Sequence, residues 1–154
     1  SFMKILAGRT AQELNANALS DECGVAHNTI RDWISILEAS FIILKLRSFY
    51  ENYNKRIVKN PKIYFIDTGL VCSLLGIRKA EEIDYHFLKG NLFETFVMSE
   101  FLKINFNTGA TFDMYFWRDN HKKEISIIIE ENIPLFRKNS IIVCCKLLKI
   151  KNKF

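Results

Sequence analysis

Three polar side chains at helical spacing are the clearest candidates for chemistry in this sequence. His27, Asn28 and Arg31 fall on one face of a helix predicted from His27 to Glu38, and all three can reach phosphates or base edges. That face also carries Asp32 and Ser35, while the opposite face carries Ile30, Trp33, Ile34 and Leu37. Since apolar residues at this spacing pack against a core, the polar face stays accessible. We therefore expect contact with duplex DNA.

A cationic segment, residues 45–62, follows this helix. It holds six basic residues and one acid, Glu51. The basic residues are Lys45, Arg47, Lys55, Arg56, Lys59 and Lys62. Strand-like runs at Phe41–Leu44 and Lys62–Ile66 flank the segment and predict a hairpin, or wing. We expect Lys45, Lys55, Arg56 and Lys59 to clamp phosphates, with a solvated loop as the alternative.

The elements that must position these side chains form a predicted helix-turn-helix. A short helix, Ala18–Cys23, precedes Gly24, which supplies a turn residue that tolerates positive φ. Ala26 stands where a Ser or Thr helix cap would be usual. A winged helix-turn-helix is the expected fold of this region, although a helix pair of this kind can also serve packing alone.

Composition limits the remaining possibilities. Apolar residues make up 49% of the 154 residues, so a real core can be buried. The net charge of +5 is uneven, because residues 45–62 contribute +5, residues 132–154 contribute +6, and the rest must sum to −6. Two cationic zones on an acidic body favour localised contact with a polyanion. For the tail, a solvated and frayed end is the preferred interpretation, so its charge is weaker support.

Several classes of site and segment are not expected. The four cysteines form no C-x-x-C pair, so we expect reduced core thiols in a cytoplasmic protein, without zinc or another cofactor. No apolar run approaches the length of a membrane span. No P-loop motif, G-x-x-x-x-G-K-[ST], occurs. Because the chain begins with Ser1, we expect a piece of a longer polypeptide.

The second half has a different pattern, a helix followed by strands. Asp67 is expected to cap a helix that runs to Leu75 and is closed by Gly76. The longest predicted helix, Gly90–Asn105, has an apolar face of Leu92, Phe93, Phe96, Val97, Phe101 and Leu102. Strands are predicted at Phe112–Trp117, Glu124–Ile129 and Ile141–Cys145, and a short helix at Ala11–Leu14. We expect an α+β protein, with a winged-helix domain at 1–75 and a small α/β domain at 76–154.

Four longer runs carry a resemblance to a known family. They are Asn54–Leu70, Leu74–Gly76, Gly90–Val97 and Phe116–Arg118. Together they resemble the C-terminal region of prokaryotic AAA-type ATPases, a domain of unknown function. In that family a P-loop ATPase module precedes a winged helix and a domain similar to PD-(D/E)xK nucleases. The resemblance implies an upstream ATPase module as a partner, and it fades after about residue 130.

The resemblance also implies where a nuclease site would lie. Glu94 matches the acid on the first helix of that fold, and Ser126 stands where the pattern has Asp. Lys146 could match the motif Lys, but Cys144 then replaces the motif acid. Two of the three carboxylates of the nuclease motif are therefore missing, and a single carboxylate rarely suffices to bind Mg²⁺. Glu124, on the same strand face as Ser126, could in principle substitute.

The expected function is a non-catalytic, DNA-binding and regulatory C-terminal region of a larger prokaryotic ATPase. A protein-interaction or oligomerisation module of that ATPase, without DNA binding, is the first alternative. A metal-dependent nuclease is the second. We expect no catalytic residue, with Glu94 and Lys146 as degenerate candidates only.

Overall fold

Twelve helices and strands make up the described part of the chain, which in this computed structural model comprises residues 1–49, 60–109, 112–119, 121, 123–131 and 140–143. The first six are α1 (Phe2–Ala7), β1 (Gln12–Glu13), α2 (Ala16–Cys23), α3 (His27–Ala39), β2 (Ile43–Ser48) and β3 (Lys62–Phe65). The next six are α4 (Thr68–Leu75), α5 (Ala80–Tyr85), α6 (Lys89–Thr108), β4 (Phe112–Arg118), β5 (Glu124–Glu131) and β6 (Ser140–Val143). The expected mixture of helices and strands is confirmed.

All six strands join one sheet in the order β1-β3-β2-β4-β5-β6. β3 is antiparallel to both β1 and β2, and β5 is antiparallel to both β4 and β6. The two antiparallel parts meet where β2 runs parallel to β4, with Ser48 opposite Phe116. Residues from the beginning and the end of the chain therefore share one continuous sheet.

The predicted helix-turn-helix segment folds as two helices around Gly24. Asn15 caps α2 by accepting a hydrogen bond from the Ala18 N–H at 3.0 Å. Gly24 ends α2 with φ of 66°, a left-handed conformation that favours glycine. Ala26 precedes α3 without a side-chain capping bond, as its side chain dictates. The helix prediction is confirmed, with α2 beginning two residues earlier than expected.

The two faces of α3 separate as the periodicity predicts. Ile30 and Ile34 are buried in a core cluster, and Trp33 and Leu37 pack against it. The ring of Trp33 also lies 4.9 Å from that of Phe2, between centroids. The apolar side of α3 thus fixes the helix on the body of the protein and turns its polar side outward.

β3 separates two core clusters. Ile63 and Phe65 belong to the cluster that includes α3, whereas Tyr64 belongs to a second cluster with Met98 and Phe116. Alternate strand residues point to opposite faces, so β3 is buried on both sides. Lys62, the first residue of β3, is buried too.

α4 carries the predicted caps. The Asp67 carboxylate accepts hydrogen bonds from the N–H groups of Gly69 and Leu70, and Gly76 ends the helix with φ of 79°. Partial burial, and secondarily the charge of Asp67, raise the pKa of the Cys72 thiol. Cys23 and Cys72 are both free. Cys144 and Cys145 lie outside the described residues.

Two sequence predictions about secondary structure and the faces of helices are wrong. Residues Ala11–Leu14 do not begin a helix, because Gln12 and Glu13 pair with β3 and the Leu14 N–H donates to the Pro61 carbonyl at 2.8 Å. In α6, Phe93 and Phe96 were expected on the buried face but are 40% and 49% exposed. The buried face of α6 instead includes Glu94, whose carboxylate pairs with Lys62 of β3.

The remaining strand predictions are confirmed in position, with ends that differ by a few residues. The expected third strand is seen as β6, one residue earlier than predicted at its start. Among the helices of the described segments, none is both long enough and apolar enough to cross a membrane.

Candidate functional site

The first candidate site is the outer face of α3. His27, Asn28 and Arg31 are all exposed and occupy the first turns of the helix, directly after the turn at Gly24. Ser35 is exposed on the same face, and its hydroxyl donates back to the Arg31 carbonyl at 2.9 Å. The structure therefore brings together the three residues of α3 that were predicted to contact DNA.

Acidic residues reduce the positive charge of this surface. Asp32 is exposed beside Arg31. Lys45 Nζ lies 2.6 Å from Glu38 Oε2, and both side chains are about one-third exposed. An exposed pair of this kind contributes little to stability, so a phosphate can compete for the lysine. In the absence of DNA, however, the charge of Lys45 is already neutralised by Glu38. The sequence prediction did not include this ion pair.

The rest of the predicted phosphate clamp cannot be placed. Lys55, Arg56 and Lys59 lie outside the described residues, as does Lys146. Lys62, which was counted among the surface cations of the same segment, is only 2% exposed. Its assignment to the cationic surface is wrong, because the side chain enters the interior and pairs with carboxylates.

The second candidate site is a buried charge cluster centred on Lys62. Lys62 Nζ lies 2.9 Å from Glu94 Oε1 and 2.6 Å from Glu124 Oε1. Nζ is also 5.6 Å from the centre of the Phe116 ring, within range of a cation–π contact. One ammonium group from β3 thus bridges a carboxylate of α6 and a carboxylate of β5.

Hydrogen bonds complete the environment of Glu94. The Tyr64 hydroxyl donates to Glu94 Oε1 at 2.7 Å, and the Ser126 hydroxyl donates to Glu94 Oε2 at 3.1 Å. Both oxygens of this buried carboxylate therefore have donors. Burying a charged group is costly unless it is paired and hydrogen-bonded, and Glu94 meets both conditions.

Arg118 connects the cluster to the surface. Its Nε lies 2.9 Å from Glu124 Oε2, and its Nη1 donates to Glu13 Oε1 at 2.6 Å. Glu13 lies opposite Lys62 in the β1–β3 ladder. Within the described part of the chain, these contacts join two cations, Lys62 and Arg118, to three carboxylates.

An irregularity in the pairing of β4 and β5 includes Ser126, which belongs to the cluster. The register between β4 and β5 shifts between the pairs Tyr115–Ile128 and Trp117–Ile125, so Ser126 and Ile127 together face Phe116. An extra residue of this kind changes the direction of side chains on the bulged strand. Glu124 and Ser126 both reach the Glu94 side of the sheet, as was predicted from their spacing.

These residues do not fit the metal ion that the nuclease resemblance implies. The Lys62 ammonium already lies between the carboxylates of Glu94 and Glu124. A divalent cation at that position would be repelled at short range by the positive charge of Lys62. Across the described ranges, no group of three or more His, Cys, Asp and Glu side chains could hold a metal.

Sequence reasoning identified part of this cluster and missed its centre. Glu94, Glu124 and Ser126 were singled out through the resemblance, whereas Lys62 was assigned to the surface. Tyr64 and Arg118 were given no role. One feature of the sequence could have indicated the burial of Lys62. It is the first residue of a strand that is otherwise apolar, and such a strand is expected to be buried.

Comparisons with known proteins identify two families of unknown function. Residues 1–81 match the family described as "Domain of unknown function (DUF8612)". Residues 89–146 match the one described as "Domain of unknown function (DUF4143)". The buried cluster draws on both, since Lys62 lies in the first match and Glu94 and Glu124 lie in the second.

Two curated relatives extend beyond this chain. The chain is 28% identical over 126 residues to an uncharacterized protein of Mycobacterium tuberculosis and to one of Mycobacterium bovis. Each alignment covers 82% of this chain but 28% of the relative, so the chain spans little more than a quarter of the relatives' length. No solved structure matches the chain significantly. Because its match covers more than half of the chain, this protein belongs to the family of domains of unknown function DUF8612.

Proposed function

We propose that this chain is a non-catalytic, DNA-binding and regulatory C-terminal region of a larger prokaryotic ATPase. Its first half would act as a winged helix that reads duplex DNA in the cytoplasm. The second half would be a nuclease-like domain that has lost its catalytic set. The observation that carries the proposal is the exposed polar face of α3, with His27, Asn28 and Arg31 beside the Gly24 turn.

The order and pairing of the first elements support a winged helix. A winged helix needs two helices joined by a tight turn, and a small antiparallel sheet with a hairpin beside the second helix. Here α2 and α3 meet at Gly24, and β2 and β3 form an antiparallel pair flanked by β1. The segment between β2 and β3 contains Lys55, Arg56 and Lys59, where a wing would meet phosphates.

In the proposed mechanism, α3 enters the major groove and the cationic segment contacts the backbone. Arg31 and Asn28 are the best candidates for base edges, since an arginine can pair with guanine and an asparagine with adenine. His27 would contact a phosphate or base at the start of the helix. Lys45 would exchange its partner Glu38 for a phosphate oxygen, a replacement that an exposed ion pair permits.

The buried cluster supports the absence of nuclease activity. Magnesium-dependent cleavage needs an ion that polarises the scissile phosphate and activates a water molecule. The position between Glu94 and Glu124 is filled by Lys62. The side chains of the cluster instead form ion pairs and hydrogen bonds that hold α6 against β3 and β5.

A gel-shift titration against salt tests DNA binding. If the chain neutralises several phosphates, the logarithm of the affinity falls linearly with the logarithm of salt, by about 0.9 per phosphate. Lys55→Ala should lower that slope by about 1 for every DNA sequence. Arg31→Ala should weaken binding by about 1–3 kcal/mol if Arg31 contacts a base edge.

Two further variants sharpen this experiment. Arg78→Ala removes an exposed arginine that follows α4 and is not among the predicted DNA contacts, so it should leave binding unchanged. Glu38→Gln releases Lys45 from its partner and should increase the salt slope. No shift with any duplex, even at low salt, would contradict the proposal.

A protein-interaction module is the second candidate, and one observation favours it. Large apolar side chains on α6 are exposed, namely Phe93, Phe96, Ile104 and Phe106. Phe93 and Phe96 are three residues apart and therefore neighbours on the helix surface, and an exposed apolar patch commonly marks a protein contact. This candidate predicts that Phe93→Ser with Phe96→Ser abolishes association with the ATPase module and leaves any DNA binding intact.

The nuclease alternative has its own test. Plasmid DNA incubated with the chain and Mg²⁺ or Mn²⁺ should remain uncut. Cleavage that disappears in a Glu94→Ala chain that is still folded by circular dichroism would establish a nuclease, whereas cleavage that survives this substitution would indicate contamination or a wrong site.

A further inference from the structure

The surroundings of Lys62 Nζ resemble those of a bound cation. Two carboxylate oxygens lie within 2.9 Å of it, and the face of Phe116 lies 5.6 Å away. The side chains of Lys62, Glu94 and Glu124 are 3%, 10% and 4% exposed, so little water reaches the group. A lysine is rarely buried to this extent unless it is paired.

The charge of Lys62 is required by its neighbours. Without it, Arg118 would be the one cation that remains in contact with these carboxylates among the described side chains. Glu94 would then have only the neutral hydroxyls of Tyr64 and Ser126 as its described partners. A buried carboxylate in that position is costly without a cation, so another cation that reached it would stabilise the fold.

We propose that Lys62 is a built-in cation that takes the place of a divalent metal between Glu94 and Glu124. It is supplied by β3, in the DUF8612 match, to carboxylates of α6 and β5, in the DUF4143 match. The second half of the chain therefore depends on the first half, and not on a metal ion, for the positive charge that neutralises Glu94 and Glu124 in its core. This role is independent of DNA binding.

A consequence is that Lys62 and a divalent ion are mutually exclusive. When the ammonium is removed, the pocket presents the carboxylates of Glu94 and Glu124 and the hydroxyls of Ser126 and Tyr64. These hard oxygen atoms suit Mg²⁺ and Mn²⁺ better than softer transition metals. Replacing Lys62 by a neutral side chain should therefore convert an internal ion pair into a weak site for these ions.

Thermal unfolding of Lys62→Met, with EDTA or with millimolar Mn²⁺, tests the proposal. The wild-type Tm should be the same in both conditions. The Lys62→Met chain should unfold several degrees lower in EDTA and recover part of that loss in Mn²⁺. Electron paramagnetic resonance should count one bound Mn²⁺ per chain in the variant only. Lys103→Met, which breaks an exposed pair with Glu100 on α6, should change neither the Tm nor Mn²⁺ binding.

A double variant covers the case in which Lys62→Met does not fold in EDTA. Lys62→Met with Glu94→Gln removes one positive and one negative charge, so it should fold without metal, melt above Lys62→Met and ignore Mn²⁺. A folded Lys62→Met whose Tm does not respond to Mn²⁺ would overturn the proposal. So would a double variant no more stable than the single one, or one Mn²⁺ bound to the wild-type chain.

Discussion

The helices α3 and α6 follow opposite rules of burial. α3 places Ile30 and Ile34 in the core and leaves its polar residues exposed. α6 buries polar side chains, including Glu94, Thr95 and Ser99, together with Leu92, Met98 and Leu102. It exposes several large apolar ones, of which Phe93 and Phe96 lie near its start. The buried face of α3 is apolar, whereas the buried face of α6 also makes directed polar contacts.

The buried residues Glu94, Thr95 and Ser99 of α6 all have hydrogen-bond partners. The hydroxyls of Thr95 and Thr10 lie 2.8 Å apart, and Ser99 donates to the Phe96 carbonyl at 2.8 Å. Glu94 contacts both β3 and β5 through Lys62 and Ser126. The face of α6 that meets the sheet is therefore chosen by hydrogen bonds and ion pairs as well as by hydrophobicity.

The two modes of attachment respond differently to substitution. Removing an apolar group from a core loses its transfer free energy and leaves a cavity. Removing one partner of a buried ion pair leaves the other charge without compensation, which is a larger penalty than the pair's net contribution. The contrast between α3 and α6 can therefore be measured with single substitutions on each helix.

The largest loss of stability should come from Glu94→Ala. This change removes one carboxylate from Lys62 and the acceptor of Tyr64 and Ser126, so the free energy of unfolding should fall by about 3–5 kcal/mol. Urea denaturation followed by circular dichroism measures it. Glu100→Ala, which breaks an exposed pair on the same helix, should cost at most about 0.5 kcal/mol. Equal effects of the two substitutions would show that Glu94 is not held in a buried pair.

The next largest effect should come from Ile30→Ala in α3. Ile30 is fully buried in the cluster that joins α3 to the body of the protein, so the loss should be about 2–4 kcal/mol. Ile36, on the same helix, is 60% exposed, and Ile36→Ala should cost well under about 1 kcal/mol. The same denaturation measurement applies. A large loss from Ile36→Ala would contradict the assignment of the two faces.

Sequence predicted the elements whose signals are local. Gly24, Asp67 and Gly76 mark helix ends because each satisfies a backbone requirement within its own turn. β1 was missed because its two residues are set by pairing with β3, some fifty residues away in the chain. Local propensity carries no information about such a partner.

The residues of the two candidate sites also differ in whether local sequence could predict them. The exposed residues of α3 could be predicted, since helical spacing places them opposite an apolar stripe. The burial of Lys62 could not, because its carboxylate partners come from α6 and β5. Charge counting along the chain placed Lys62 with its neighbours in sequence, whereas its ion pairs join it to residues 32 and 62 positions away.

A smaller effect should come from Gly24→Ala, which tests the turn before α3. No heavy atom lies within 4 Å of the added methyl group, so the cost is the backbone strain of φ at 66°. We expect a loss of about 1–2 kcal/mol. Gly90, near the start of α6, has ordinary helical geometry and open space around it. Gly90→Ala should therefore stabilise the protein by up to about 1 kcal/mol. If both substitutions changed the free energy of unfolding in the same direction, the left-handed conformation assigned to Gly24 would be contradicted.

The smallest effect should come from Phe96→Ser. Phe96 is 49% exposed, so replacing it with a polar residue should lower the free energy of unfolding by about 1 kcal/mol or less. Met98, two residues further along α6, is 1% exposed, and Met98→Ser should cost about 3 kcal/mol or more. Denaturation of both variants determines which side of α6 meets the sheet. Were Phe96→Ser the more damaging substitution, the hydrophobic stripe would decide the orientation of α6 as it does for α3, and Glu94 would have to turn away from Lys62.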